Sequence, residues 1–210
     1  MQPDYWLKAT THLSDACPVM AELIARYHGE SLQPRPDGFF TLLRAVVGQQ
    51  ISVKAADAIW ARLEKAVKPL TPENLLRKRD ATLKKLGLSQ QKVLYAKNVA
   101  RFFIAHHIQD PAERAIYWEQ FTDDEIIQQL TAIKGIGSWT AEMFLIFHLN
   151  RPDVFPVKDL GLLKAIDLHY TDGKRLKPKE YLSFSGRWAP YRSVATWYLW
   201  RALDPVPVAY

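Results

Sequence analysis

The residues best placed to do chemistry lie between Leu130 and Ile166. Asp159 is a lone carboxylate close behind Phe155-Pro156, and upstream of it stands the glycine-flanked turn Lys134-Gly135-Ile136-Gly137. A rigidly held carboxylate can stabilise a developing positive charge or deprotonate a water. A glycine turn that opens a helix presents N–H groups at the positive end of the helix dipole, a seat for an anion such as a DNA phosphate. Both features also have plain structural readings. An acid at a helix start is commonly a cap, and composition alone favours that role. A glycine turn between helices is often no more than an αα-hairpin. A dinucleotide loop fits less well, because the third glycine is missing and a helix precedes where a strand is required.

The elements that must position these residues read as helices, with no strand-length alternation. Thr122-Asp123-Asp124-Glu125 matches a capping box and predicts a helix over 123–131. Gly135 and Gly137 allow positive φ in the turn. Ser138 can cap the next helix, and Trp139 to Leu149 is apolar on nearly every side, which predicts a buried helix. His148 within it reads as a core residue. Val154 to Lys158 should be extended around Pro156, and Asp159 begins the helix Leu160 to His169. Upstream, 13–28 suggests one amphipathic helix, and Phe39 to Gly48 carries a helical stripe. The polar interruption Gln49-Gln50-Ile51-Ser52 follows, with Ser52 capping a further helix. Its glutamines can bond base edges or form a solvated turn. Thr71-Pro72-Glu73 is a helix start, Asp80 caps a short helix that stops at Gly87, and Ser89 caps a long helix to about His106. Asp110-Pro111 opens another. The segment 171–180 is basic and turn-like, and a last helix, Val194 to Leu203, carries Trp197, Tyr198 and Trp200. The expectation is an all-α fold of two helical lobes, 40–137 and 1–39 with 138–210. A central cleft would separate them, with Asp159 and the hairpin at its mouth.

Two motifs carry a family resemblance. Ile133-Lys134-Gly135-Ile136-Gly137 is followed, one residue on, by Trp139-Thr140-Ala141, and Val154-Phe155-Pro156 is followed, two residues on, by Asp159-Leu160-Gly161. This pattern resembles the helix-hairpin-helix superfamily of DNA glycosylases, in particular the AlkA-type DNA-3-methyladenine glycosylase II group. Segments near 43–63 and 186–201 share the likeness, so it covers most of the chain from residue 39 onward.

The resemblance implies Asp159 as the catalytic carboxylate and Trp139, Met143 and Trp200 as the lining of a base pocket. Met143 stands where some relatives have a tyrosine. It implies DNA contacts from Gln49, Gln50 and Ser52, and from Lys134, Gly135, Gly137 and Ser138 of the hairpin. It also implies a minor-groove wedge, supplied by Gln90 or Leu88 if the loop is not simply surface. A Na+ or K+ ion on the carbonyls of Thr131, Ile133 and Ile136 would be structural, with no cofactor for the chemistry. Bifunctional relatives use a lysine two residues after the second hairpin glycine, where this chain has Trp139. The implied activity is therefore monofunctional hydrolysis of the N-glycosidic bond of alkylated purines, in base excision repair, by a monomer acting on damaged double-stranded DNA. Two alternatives stay open: a glycosylase of the same superfamily for oxidised, deaminated or mismatched bases, and a non-catalytic helix-hairpin-helix DNA-binding module.

Composition is consistent with these readings. The 210 residues suit one or two domains, and 48% hydrophobic residues suffice for a core. The net charge of +6 suits a polyanionic partner without proving one. Cys17 is the one cysteine, which excludes a disulfide within the chain, a multi-thiolate zinc site and a four-cysteine iron–sulfur cluster. No signal peptide or membrane-length apolar run appears, so the expected location is cytoplasmic and nucleoid-associated. The residues before Phe39 are too few for the β-rich N-terminal domain of larger family members, which implies a compact form.

Overall fold

The structure is a computed structural model and describes residues 2–108 and 116–203. The helix start expected at Asp110-Pro111 lies outside these. Every regular element among the described residues is helical. The chain divides into two compact units, Met1–Pro34 with Leu145–Tyr210, and Arg35–Phe144. The division falls after Phe144, within a helix, whereas the sequence suggested 137/138. The Phe144 ring packs edge-on against Trp118 of the same unit, with centroids 5.2 Å apart.

The unit Arg35–Phe144 is built on a long helix. Its first helix, α3 (Gly38–Gly48), is capped by Asp37, whose carboxylate accepts from Phe40 N. Then come α4 (Val53–Ala66), α5 (Pro72–Arg77), α6 (Asp80–Lys85) and α7 (Gln90–Ala105). The caps are those the sequence suggests for α4, α5 and α7: the side chains of Ser52, Thr71 and Ser89 each accept from a backbone N–H three residues on. Asp80 differs. It is the first helical residue of α6, and Arg79 holds the cap position without a side-chain bond. The helix α7 buries Val93, Ala96, Val99, Ala100 and Phe103, and α3, α5 and α6 pack on it. The capping box forms as expected, with Thr122 and Glu125 reciprocally bonded at the start of α8 (Asp123–Thr131). The hairpin leads to α9 (Ser138–Phe147).

The other unit is organised around its last helix, α12 (Arg192–Leu203), in which every residue from Ser193 to Trp200 is buried. A helix apolar all round must be enclosed by others. Here α1 (Trp6–Ala16), α2 (Pro18–Arg26) and α10 (Leu160–Tyr170) pack on it. The single amphipathic helix expected over 13–28 is two helices broken at Cys17-Pro18. Pro18 takes the first position of α2, where its missing N–H costs nothing, and forces Cys17 into an extended conformation. The basic segment 171–180 is turn-like only in its first half. Pro178 opens α11 (Pro178–Ser185), and a short 3-10 turn, Gly186–Trp188, follows. The Asn150–Asp153 turn is tied to the start of α12 by a two-pronged ion pair, Arg192 to both oxygens of Asp153 at 2.7 and 2.8 Å.

Candidate active site

Asp159 sits at the head of α10, and its local role is the bland one: Oδ1 caps the helix by accepting from Leu162 N at 2.6 Å. Two observations go beyond a cap. The residue is 6% exposed, and the same Oδ1 accepts from the indole Nε1 of Trp200 at 2.9 Å. A carboxylate held in a buried place needs such donors. Trp200 is itself fixed by a nearly parallel stack on Phe147, with centroids 5.9 Å apart and planes 9° apart. Gly161 packs beside the pair: a Cβ there would stand 3.3 Å from Asp159 Oδ1, a tight approach, and 3.7 Å from Trp200 Cδ1, an ordinary contact. The extended run before Asp159 is held from α12 by Ser193, whose hydroxyl accepts from Val154 N at 2.9 Å and donates to the Arg151 carbonyl at 2.7 Å. The Asp159 carboxylate and the Trp200 indole are thus brought together, a contact the sequence did not suggest, and the expected base-pocket residues Trp139 and Met143 lie one turn apart on α9, Trp139 half-buried and Met143 in the core.

The hairpin is positioned within the other unit. Ile133 and Ile136 are buried and anchor it, and Ile136 N donates to the Ile133 carbonyl at 2.9 Å to close the turn. The two glycines serve different ends. Gly135 has φ +112, and a Cβ on it would lie 2.2 Å from the Tyr95 ring, so only glycine fits. Gly137 has no positive φ and open space where a Cβ would go. That corrects the expectation that both glycines serve the turn. Nothing inside the protein requires glycine at 137, whereas a partner approaching the backbone from outside would. Ser138 is the first residue of α9 and Gly137 holds the cap position, its carbonyl accepting from Ala141 N. Among the described residues the N–H groups of Gly135 and Gly137 have no hydrogen-bond partner.

Three loops meet beside this hairpin. Gln49 donates from Nε2 to the Gly135 carbonyl at 2.9 Å, and Lys92, in the first turn of α7, donates from Nζ to the Val47 carbonyl at 2.8 Å. Partial burial pulls the Lys92 ammonium below its ordinary pKa. Gln50 is held in the left-handed region at φ 57, an uncommon conformation for a residue with a side chain. Together Gln49 and Gln50, Ser89, Gln91, Lys92 and Tyr95, and the hairpin from Gly135 to Gly137 line a polar pocket of about 410 Å³. Ser52 is exposed beside it, as is Lys134 on the hairpin. Of the two wedge candidates, Gln90 is exposed and Leu88 is 3% exposed. Leu88 therefore does not suit a wedge: its side chain fills the core. Lys92 and Tyr95 carry no sequence signal of their own, and Gly161 enters the sequence reading only as part of the Asp159-Leu160-Gly161 motif. The one available signal was the repeated glycine, since a ring packed on Gly135 and an indole against Gly161 come from residues remote in sequence.

No group of three or more His, Cys, Asp or Glu among the described residues could hold a metal ion. The carbonyls of Thr131, Ile133 and Ile136 are oxygen donors of the kind a monovalent cation takes. Thr131 is at the C-terminal end of α8, where carbonyls lack helical partners. The Ile133 carbonyl keeps a lone pair after accepting from Ile136 N. No helix among the described residues is long and apolar enough to cross a membrane.

Comparison with known proteins points the same way. Residues 43–190 match the family described as HhH-GPD superfamily base excision DNA repair protein. DNA-3-methyladenine glycosylase 1 of Schizosaccharomyces pombe is 33% identical over 200 residues, covering 92% of this chain and 86% of that protein. The solved structure of an S. pombe 3-methyladenine DNA glycosylase in complex with abasic DNA has a TM-score of 0.78 at 31% identity, covering 97% of this chain and all of that one. A DNA-3-methyladenine glycosidase from Bacillus halodurans has a TM-score of 0.73 at 34% identity, covering 89% of each chain.

Proposed function

Because the chain belongs to the HhH-GPD superfamily of base excision DNA repair proteins, we propose that it is a monofunctional DNA glycosylase. It hydrolyses the N-glycosidic bond of alkylated purines, of the 3-methyladenine kind, in duplex DNA. The observation that carries this reading is the buried Asp159 carboxylate, oriented by Trp200 and by the head of α10. A base must leave the stack to be reached. The exposed N–H groups at Gly135 and Gly137 would hold a phosphate of the damaged strand, with Gln90 filling the gap and Gln50 and Ser52 beside it. A Na+ or K+ ion on the carbonyls of Thr131, Ile133 and Ile136 would add positive charge at that phosphate.

N-alkylation places positive charge on the purine. The base then leaves with the glycosidic electron pair as a neutral molecule and needs no acid. Charge develops on the sugar instead, and a fixed carboxylate stabilises it. Water adds its oxygen to the anomeric carbon and gives up a proton, with Asp159 as the acceptor at hand. The half-buried indole of Trp139 would favour a cationic base by about 0.5–2 kcal/mol for a good contact.

The test is incubation with duplex DNA methylated chemically, followed by chromatography of released bases. Free 3-methyladenine is expected. Release only from DNA carrying oxidised or deaminated bases would move the assignment to another branch of the superfamily, and no release from any of them would remove it. The enzyme's place of work is wherever the DNA is.

A further inference from the structure

The positive charge of this chain is concentrated in one segment. Between Arg77 and Arg101 there are eight Lys or Arg and a single acid, Asp80, while the remaining residues carry twenty Lys and Arg against twenty-one Asp and Glu. The whole excess of +6 therefore belongs to these 25 residues. They come together around Asp80, where Lys84, Lys97 and Arg101 gather, and Arg77 ends α5, which packs on α7 as α6 does. Lys97 of α7 pairs with Asp80 at the start of α6, and Lys92 is taken up by the Val47 carbonyl. The other six, Arg77, Lys78, Arg79, Lys84, Lys85 and Arg101, form no ion pair among the described residues. Asp80 shows the crowding: its bond to Lys97, with Lys84 and Arg101 also close, holds its carboxyl below the usual carboxylate range.

Cations near helix ends offset the helix dipole, which accounts for Arg77, Lys84 and Lys85 in the last turns of α5 and α6. It does not account for Arg79, which precedes α6, or for Arg101 within α7. Like charges gathered on one face repel and oppose the compact state unless an anion offsets them. The surface also runs into the hairpin. Asn98 donates to the Lys134 carbonyl at 3.2 Å, and its own Oδ1 accepts from Arg101 at 3.0 Å.

We propose that the face formed by α5, α6 and the middle of α7 is a second DNA contact surface. It binds backbone phosphates of the same duplex beyond those at the hairpin, through Lys84, Lys85 and Arg101. The proposal rests on the reading that the chain works on duplex DNA. It makes affinity depend on how much undamaged DNA flanks the lesion.

The test compares wild type with Lys84→Gln, Lys85→Gln, Arg101→Gln combined. A second triple variant, Lys174→Gln, Arg175→Gln, Lys177→Gln, removes the same charge from a different surface. Binding is titrated against salt on lesion duplexes of about 10 and about 25 base pairs, each phosphate contact contributing about 0.9 to the log–log slope. On the long duplex the first variant should lose up to about three units of slope, while the short duplex and the second variant keep wild-type slopes. Single-turnover excision at saturating enzyme should be unchanged. Equal slopes for wild type and the first variant on the long duplex overturn the proposal. So does equal loss on both duplexes, or equal loss by both variants, which would reflect net charge rather than a surface. Base release measured in parallel separates the two readings: release without the length effect removes this surface and leaves the glycosylase assignment standing.

Discussion

At the scale of single residues, Asp159 joins two roles that its sequence context leaves in competition. It is a helix cap, and asparagine caps as well as aspartate does. What asparagine cannot do is carry negative charge against a developing sugar cation or take a proton from water. Asp159→Asn should therefore change stability by less than about 1 kcal/mol, keep lesion binding, and lower single-turnover excision roughly 10²–10⁴-fold. Excision near the wild-type rate would leave Asp159 as a cap only. The hairpin glycines give a second contrast. Gly135→Ala forces a Cβ into the Tyr95 ring at 2.2 Å and should cost about 1–3 kcal/mol in denaturant unfolding. Gly137→Ala meets open space and should unfold like wild type, yet bind every DNA more weakly. If Gly137→Ala instead lost stability and kept its affinity, the outward-facing reading of that glycine would be wrong. Two identical letters in one motif look alike in sequence, because the Tyr95 ring that distinguishes them arrives from α7.

At the scale of elements, what could be read from sequence was what is decided within a few residues. Thr122 to Glu125, Ser52, Ser89 and Thr71-Pro72 each set a helix start with local bonds, and each helix begins there. Cys17-Pro18 was missed because the apolar periodicity runs on across it, while proline both ends one helix and opens the next. The struts between loops were out of reach, since nothing near Lys92 in sequence says that the Val47 carbonyl will be its neighbour. Lys92 ties the first turn of α7 to the last turn of α3, and Gln49 ties the following turn to the hairpin. Lys92→Met should cost about 1 kcal/mol at neutral pH. In a double-mutant cycle with Gln49→Leu it should couple measurably in lesion binding, because both hold one turn. Additive effects would mean the two bonds act separately. Burial also lowers the Lys92 pKa, so in the alkaline range just below the ordinary lysine value of 10.5 the folded state binds fewer protons than the unfolded. Wild type should then gain stability with rising pH relative to Lys92→Met across that window. A difference between the two that is flat with pH would contradict the burial of this amine.

At the scale of the whole molecule, the all-helical class was legible because helical periodicity and caps recur along the chain. The division after Phe144 was not, since it falls inside a helix that no break in the local sequence marks, Phe144 packing on the remote Trp118. Product chemistry also belongs to this scale, because it depends on what the entire chain places at the reacting sugar. Trp139 stands two residues after the second hairpin glycine, where an amine would be needed for attack on the anomeric carbon. Lys134 precedes the first glycine and projects from the exposed side of the turn, and Lys92 is engaged with the Val47 carbonyl. With no lysine in α9, water is the expected nucleophile, no Schiff base forms, and the sugar–phosphate backbone stays joined. Alkylated duplex treated with the protein should run intact on a denaturing gel and break only after alkali or an abasic-site endonuclease. Borohydride added during turnover should trap no protein–DNA adduct. A trapped adduct, or prompt nicking by nuclease-free protein, would mean that an amine elsewhere in the chain reaches the sugar and that the enzyme is a lyase as well as a hydrolase.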